Sequence, residues 1–299
     1  MTTIEIFETG SKAIIPSSWE ELSPAQIRGI IRLYDRAVRL GWSPLEFHIR
    51  VLYYLLDMKY DWRSIRWERL SGRSAVESRN AGIYMLCERC LGWIFKDAEN
   101  GGLTLNYTSI VNALPSVKTG LFRRRLYGPS DALLNLSFGE FRHASAALNT
   151  FFRDRAPESL DECIAHLYRI KSGRRNRAGR MVENVDQGNI EKAICRVAKM
   201  KSWQKTLIML WFANCINYLQ TGTIDIEGEE VDLSKLFSGG TSDNSGLSAT
   251  WQDLLIEIAR ENTIGNLDRV DEEPLYSIIS IMWHNYKENK RHEKAAKTN

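Results

Sequence analysis

The sequence lacks a long hydrophobic run and a large excess of either charge. Its most apolar stretch, Leu207 to Leu219, is interrupted by Asn214 and Asn217 and is too short to span a bilayer, so we expect no membrane partner. Lys and Arg number 40 against 37 Asp and Glu, and this near balance gives no bulk indication of a nucleic-acid partner. Residues Met1 to Glu5 have neither the basic start nor the apolar stretch of a secretory signal. We therefore expect a cytoplasmic place of synthesis.

Cys and His are few in this sequence, with five of each, and neither occurs at a reactive or metal-binding spacing. Five Cys is an odd number, and their apolar, helical contexts indicate a reducing compartment. Cys87 and Cys90 form a C-x-x-C pair, but this pair lies inside a predicted helix and no second pair follows at zinc-site spacing. The five His form no H-E-x-x-H pair, and the glycine patterns of nucleotide-binding loops are absent. We predict no catalytic residue, no metal site and no cofactor.

One set of short matches resembles elements of serine acyl-transferring, penicillin-recognising enzymes. It consists of Ser202-Trp203-Gln204-Lys205, Ser242-Asp243-Asn244 and Lys118-Thr119-Gly120, which match S-x-x-K, S-D-N and K-T-G. In those enzymes K-T-G comes last and lies on a core strand. Here it comes first, in a segment interrupted by Pro and Gly where we predict no sheet. Matches without that structural context do not indicate the activity.

The clearest structural signals are four helix starts that occur in two pairs. Ser23 and Ser137 each precede a Gln or Glu by three residues, the spacing of a capping box. In this box the Ser oxygen accepts a backbone N–H of the first turn, and the acid or amide side chain returns to the cap. Second starts follow at Ser43 and Ser159, 20 and 22 residues later. Each pair predicts an antiparallel pair of capped helices, over residues 23–59 and 137–171.

Apolar periodicity predicts a mainly α fold of helical hairpins or a bundle. The first helix has an apolar stripe that we expect to face the core, formed by Ile27, Ile30, Ile31, Tyr34 and Val38. Gly41 is expected to end this helix in the left-handed conformation that glycine favours. Small β-hairpins are predicted near the N-terminus and around residues 223–232. Other helices are predicted over residues 75–95, 138–152, 159–169, 188–199, 203–220, 250–260 and 274–289.

Pro and Gly residues that interrupt the periodic segments predict how the chain is divided into domains. Pro and Gly interrupt residues 103 to 130, which show little periodicity and which we interpret as an irregular connection. We predict an N-terminal β-hairpin over residues 1–16, a helical half over 17–127, and a second helical half over 128–299 that includes the later β-hairpin. A flexible surface loop is predicted over Gly239 to Gly246.

Positive charge is concentrated locally, in two clusters. Residues 169 to 180 contain no acid and six basic side chains, Arg169, Lys171, Arg174, Arg175, Arg177 and Arg180, and the second cluster is Arg123 to Arg125. The first cluster binds phosphates, or is a solvated basic loop, or pairs with the acidic hairpin around residues 225–232 or with an acidic partner protein. Aromatic residues, which single-strand binding uses, are absent from residues 172–180. We favour a protein partner and expect this segment to be exposed and mobile unless an acidic surface holds it.

Three stretches together indicate a biological setting. They are Ile15 to Leu22, the Phe138 to Phe141 helix with Ala165 to Arg169 after it, and Trp203 to Lys205, which opens an apolar helix. Together they resemble uncharacterised proteins encoded in the tail-gene clusters of bacterial prophages and related phage-like particles, over most of the chain from residue 15. The resemblance implies a tail-assembly chaperone or a minor tail component without catalytic residues. It also implies other tail or particle proteins as partners, a possible homo-oligomer, and a place in the host cytoplasm during assembly or in the particle itself.

We therefore predict a non-enzymatic assembly or structural protein that acts through protein–protein contacts. Capped amphipathic helices, nine Trp and surface segments of opposite charge support this prediction. The alternative is a nucleic-acid-binding protein that uses residues 169–180. A third hypothesis is an enzyme whose active site has no recognised motif.

Overall fold

The computed structural model describes residues 1–6, 11–58, 73–97, 103–119, 124–184, 186–226, 228–237 and 267–298. The protein is mainly α-helical with small antiparallel sheets, which confirms the predicted fold class. The chain divides into two compact units, Met1–Ser109 and Ile110–Asn299. The sequence placed this division later, between residues 127 and 128. Residues 110–127 join the second unit because they contain two strands of a sheet that residues 169–170 complete.

Among its described residues, the first unit combines two antiparallel strand pairs with three α-helices. Its elements are β1 (Thr2–Ile6), β2 (Ser11–Ile15), α1 (Pro24–Leu40), α2 (Pro44–Leu55), α3 (Arg73–Leu91), β3 (Phe95–Asp97) and β4 (Leu103–Leu105). β1 pairs with β2, as the sequence predicts for the N-terminus, and β3 pairs with β4. Helix α3 is shorter than the predicted helix over residues 75–95, because a 3-10 turn over Gly92–Ile94 follows it and Phe95 begins a strand.

The first helical hairpin forms as its caps predict. The Ser23 Oγ accepts the Gln26 N–H at 3.3 Å, and the Ser23 N–H donates to Gln26 Oε1 at 2.9 Å, which completes the capping box. Gly41 ends α1 with φ 65°, the left-handed value expected of a glycine cap. The Tyr54 hydroxyl near the end of α2 donates to the Ala25 carbonyl at the start of α1, so the two helices are antiparallel.

The apolar stripe of α1 is shorter than the sequence predicts. Ile27, Ile30 and Ile31 are buried, but Val38 is 66% exposed and does not belong to the core. Asp35 is buried instead, and its carboxylate accepts the Arg39 Nε at 3.1 Å. The last turn of α1 therefore lies at the edge of the unit, where an exposed apolar side chain is common.

The second unit contains a three-stranded sheet, a second helical hairpin and further helices. Its elements are β5 (Ser116–Thr119), β6 (Arg124–Tyr127), α4 (Phe138–Asp154), α5 (Pro157–Leu167), β7 (Arg169–Ile170), α6 (Gln187–Val197), α7 (Ser202–Thr221), β8 (Thr223–Ile226), β9 (Glu229–Asp232), α8 (Ser234–Phe237), α9 (Leu267–Glu272) and α10 (Leu275–Thr298). The sheet has the antiparallel order β5-β6-β7. β8 and β9 form the hairpin predicted around residues 223–232.

The second helical hairpin starts as predicted and ends differently. The Ser137 Oγ accepts the Glu140 N–H at 3.3 Å, and the Ser137 N–H donates to the Glu140 carboxylate at 3.1 Å. Ser159 is not a cap, because α5 begins two residues earlier at Pro157, whose missing N–H suits a first helical position. The predicted helical window to residue 171 is also too long, since α5 ends at Leu167 and Arg169 begins β7.

Helix α7 provides part of the core of the second unit. Its Trp211 and Phe212 are fully buried, and Phe212 contacts the ring of Phe141 on α4 edge-on, with centroids 6.0 Å apart. The Trp211 Nε1–H donates to the Ile110 carbonyl at 2.9 Å, which ties the first residue of the unit to this helix. None of the helices in the described ranges is long and apolar enough to cross a membrane. The predicted helix over residues 250–260 and the predicted loop at Gly239–Gly246 lie outside those ranges.

Candidate interaction surface

The first basic cluster begins on β7 and continues into a closed loop. The Ser172 N–H donates to the Met181 carbonyl at 2.9 Å, and the Glu183 N–H donates to the Ile170 carbonyl at 3.0 Å. Lys171 and Val182 form an isolated antiparallel bridge between these two bonds. We call residues 171–180 the basic loop. Its two ends are held together by backbone hydrogen bonds.

Two of the six basic residues of this cluster are buried and bind one carboxylate. Arg169, Arg180 and Glu140 are each no more than 3% exposed. The Arg180 Nη1 donates to Glu140 Oε2 at 3.0 Å, and Arg169 Nη2 pairs with the other oxygen, Oε1. The Arg180 Nη2 also donates to the carbonyls of Tyr127 and Leu167, at 3.0 and 2.7 Å. Arg169 and Arg180 are therefore buried rather than exposed, because the Glu140 carboxylate pairs with both and two backbone carbonyls accept from Arg180.

Both buried guanidiniums stay charged at neutral pH although their surroundings disfavour the charge. Burial, together with the neighbouring Arg180 charge, lowers the pKa of Arg169 to about 9. Burial likewise lowers the pKa of Arg180 to about 10. Two guanidiniums thus share the single Glu140 carboxylate. This cluster fixes the end of the basic loop against β6, α4 and α5.

Arg177 is also held by carboxylates, but not by those that the sequence suggested. Its Nη1 donates to Glu273 Oε1 at 2.6 Å and its Nε lies 3.2 Å from Glu272 Oε2. Of the acceptors that the sequence left open, the one within the chain was the hairpin at Asp225–Asp232. In that hairpin Glu229 instead accepts the Lys287 amine at 2.7 Å. The acceptor of Arg177 lies at the end of α9, 96 residues away in sequence, and local patterning does not reveal such a contact.

The remaining three cations of the cluster point to solvent. Lys171, Arg174 and Arg175 are exposed. Within the described parts of the chain, none of the three forms an ion pair. Arg174 and Arg175 lie at the tip of the basic loop, where the Arg174 N–H donates to Ser172 Oγ at 3.3 Å.

The sheet brings the second basic cluster next to the first. Lys118 on β5 lies directly opposite Arg125 on β6, and both side chains are exposed. The β6–β7 pairing ends at Leu126 and Ile170, and one further step of the same register would set Lys171 opposite Arg125. Residues opposite one another share a sheet face, so these three cations form a row. Arg123, from the same sequence cluster, lies outside the described residues.

We call Lys118, Arg125, Lys171, Arg174 and Arg175 the basic surface. Like charges directly opposite on neighbouring strands are destabilising, and no acid is paired with these five among the residues that the structure describes. Such an arrangement favours binding of an anionic ligand. The sequence did not predict Lys118 as a member, because strands of two to four residues give too short an alternation to recognise.

Within the described parts of the chain, neither the C-x-x-C pair nor the Lys of the S-x-x-K match lies in surroundings that would activate it. Cys87 and Cys90 are buried, and burial raises the pKa of both thiols, that of Cys87 to about 11, which opposes thiolate chemistry. The Lys205 amine is paired with Asp161 at 2.5 Å rather than available to activate Ser202. Lys118 and Thr119 do lie on a strand, contrary to the prediction of no sheet there, whereas Ser242–Asn244 lie outside the described residues.

Two histidines that are distant in sequence are brought together between α4 and α5. The rings of His143 and His166 stack with centroids 5.1 Å apart, and Arg142 Nη2 lies 3.2 Å from His143 Nε2. Burial, together with the neighbouring His143 and Arg142, lowers the pKa of His166 to about 4. Across the described residues, no group of three or more His, Cys, Asp or Glu side chains could hold a metal ion.

Comparisons with known proteins identify no family or relative of this chain. No protein-family model matches the chain, and neither a curated protein nor a solved structure is detectably similar to it.

Proposed function

We propose that the protein is a non-enzymatic assembly or interaction protein that binds an acidic surface of a partner protein through its basic surface. The observation that carries this proposal is the set of five exposed cations on one sheet face and one loop tip, without paired acids in the described structure. Complementary charge accelerates encounter with an acidic partner and selects against basic ones.

The anchoring of the basic loop supports a role in recognition. Arg180 binds Glu140 and two backbone carbonyls, and Arg177 binds the end of α9, so the segment after the tip is held by side-chain contacts. The segment before the tip is held by the backbone hydrogen bond from the Ser172 N–H to the Met181 carbonyl. A loop that is already ordered loses less conformational freedom when it binds. Arg174 and Arg175 can therefore be presented to a partner at a smaller entropic cost than they would be in a flexible segment.

The setting that we propose is the assembly of a phage tail or a related particle. The resemblance of three sequence stretches to prophage tail-cluster proteins supports this setting. The partners would then be other tail or particle proteins, including further copies of this chain. The protein would act in the bacterial cytoplasm during assembly and could remain in the particle.

Nucleic-acid binding is the alternative, and the five cations of the basic surface predict how strongly such binding would depend on salt. Five neutralised phosphates would give a salt slope of about −4.5, whereas proteins with six to ten phosphate contacts have steeper slopes. The basic loop has no aromatic side chain for base stacking. Three of the six basic residues of the first cluster are bound to carboxylates of the chain itself, which lowers the number available for phosphates.

The test compares two variants that lose the same charge. Arg174→Ser with Arg175→Ser removes the loop tip, whereas Arg153→Ser with Arg291→Ser removes two exposed arginines elsewhere in the second unit. We expect only the tip variant to recover less partner in pull-downs from cells that express the complete gene cluster. Unchanged partner recovery, together with loss of retention on a DNA column, would instead support the nucleic-acid alternative. Equal recovery and equal retention for both variants would refute both proposals.

A further inference from the structure

Arg177 differs from the two arginines at the loop tip because it already has an acidic ligand. Its guanidinium contacts Glu272 at 3.2 Å and Glu273 at 2.6 Å. Arg177 is 46% exposed, Glu272 is 66% exposed and Glu273 is 23% exposed, so water reaches this contact. The chain thus shows directly that the basic loop binds two consecutive carboxylates.

The acidic side of this contact is held in place by backbone bonds and close packing. We call Asp271–Glu273 the acidic segment. The Phe138 N–H donates to the Glu273 carbonyl at 2.8 Å, and both nitrogens of one edge of the Arg142 guanidinium bind the Asp271 carboxylate. Gly139 allows this approach, because a Cβ there would lie 2.8 Å from the Asp271 Cβ. The acidic segment is therefore fixed independently of Arg177.

The Arg177 side chain is the exchangeable part of the contact. Exposed ion pairs contribute little net stability, because water and salt compete for both groups. Arg177 lies two residues beyond Arg175, so an acidic chain bound at the tip would extend within reach of it. A partner with several consecutive carboxylates could then replace Glu272 and Glu273 as the ligand of Arg177.

We infer that the acidic segment competes with the partner for Arg177, and that the partner presents a run of consecutive acidic residues. The inference rests on the proposed function and gives the partner its chemistry. The acidic segment then lowers the affinity of Arg177 for other acids, until a partner with a comparable run of carboxylates binds at Arg174 and Arg175. Arg169 and Arg180 take no part in the exchange, because they are buried with Glu140.

The test uses the full chain and a fluorescent hexaglutamate peptide as the probe. Glu272→Gln with Glu273→Gln removes the competing charges and leaves the backbone contacts of the acidic segment in place. We expect this variant to bind the probe roughly two- to fivefold more tightly than the wild type, the range that corresponds to an exposed ion pair. Glu230→Gln with Glu288→Gln is the control, since both residues are exposed and the net charge changes equally.

Arg177→Ser shows whether the gain arises through Arg177. We expect it to weaken probe binding more in the Glu272→Gln, Glu273→Gln background than in the wild type. The inference is overturned if that background binds the probe no better than the control, or if its gain survives Arg177→Ser. Failure of the proposed function gives a different result, in which Arg174→Ser with Arg175→Ser leaves probe binding unchanged.

Discussion

The Glu140 carboxylate belongs to the start of helix α4 and also to the buried arginine cluster. Its Oε2 accepts the Ser137 N–H at 3.1 Å and the Arg180 Nη1 at 3.0 Å, while Oε1 pairs with Arg169. One carboxylate therefore completes a capping box and neutralises part of the charge of two guanidiniums. The basic loop is connected to the second helical hairpin through this residue.

Replacing Glu140 by Gln should be among the most destabilising single substitutions in the second unit. The amide keeps the shape of the side chain but leaves two buried guanidiniums without an anion, which costs about 3 to 5 kcal/mol. Urea unfolding of the two proteins would measure the loss. Glu158→Gln is the matched control, because Glu158 is exposed in the first turn of α5 and should change stability by less than about 0.5 kcal/mol. Similar unfolding midpoints for both variants would contradict this account of Glu140.

The stacked pair of His143 and His166 should make the second unit sensitive to acid. Burial lowers the pKa of both residues, and the Arg142 charge lowers both further, while Asp271 and Glu162 oppose this effect at His143. An unfolded chain binds a proton at His166 near pH 6.5, whereas the folded chain does so near pH 4. The stability from neutral His166 is therefore present above pH 6.5 and is lost as the pH falls toward 4.

The His166→Gln variant tests this pH dependence. The wild type should lose on the order of 2 kcal/mol more than the variant between neutral pH and about pH 4.5. Urea unfolding at a series of pH values measures this difference, and carboxylates common to both proteins cancel from it. Parallel stability curves for the two proteins would show that His166 does not titrate as its buried position requires.

At the scale of elements, helices could be predicted where their signals are local, and the sheet could not. Ser23 and Ser137 predicted the starts of α1 and α4, because a capping box lies within four residues of sequence. Strand β7 has only two residues, and its partner β6 lies more than 40 positions earlier. The row from Lys118 to Lys171 follows from that long-range pairing, so no local pattern revealed it.

The caps can be tested by hydrogen exchange of individual helices. Ser23→Ala should weaken protection of the first turn of α1 by about 1 kcal/mol, and Ser137→Ala should do the same for α4. Ser159→Ala provides the control, because Ser159 lies inside α5 rather than at its cap. Loss of protection in α5 after that substitution would restore the helix start that the sequence suggested at residue 159.

At the scale of the whole molecule, a net charge of +3 hides an uneven distribution of charge. Acidic side chains bind Arg169, Arg177 and Arg180, while the basic surface has no such acids in the described structure. The sequence revealed the cluster over residues 169–180 because its members are adjacent. It could not reveal which members are buried, since Glu140 and the carbonyl of Tyr127 come from distant elements.

The row of cations on the sheet should affect stability and association in opposite directions. Lys118→Ser with Arg125→Ser removes two like charges that lie opposite one another, so the second unit should become more stable by up to about 1 kcal/mol. The same variant should associate more slowly with an acidic partner or with hexaglutamate, because the attraction that guides encounter is weaker. Urea unfolding and stopped-flow mixing at several salt concentrations measure the two effects.

The variant Arg153→Ser with Arg291→Ser separates local charge from net charge in this experiment. Both pairs of substitutions lower the net charge equally, and at about 0.1 M salt the screening length is about 10 Å, so distant cations contribute little. Association should therefore slow only when the row is changed, and the difference should shrink as salt is added. Equal slowing by both variants would mean that the overall charge guides encounter, and the sheet row would then have no specific role. If Lys118→Ser with Arg125→Ser stabilises the second unit but does not slow association, the row does not belong to the binding surface.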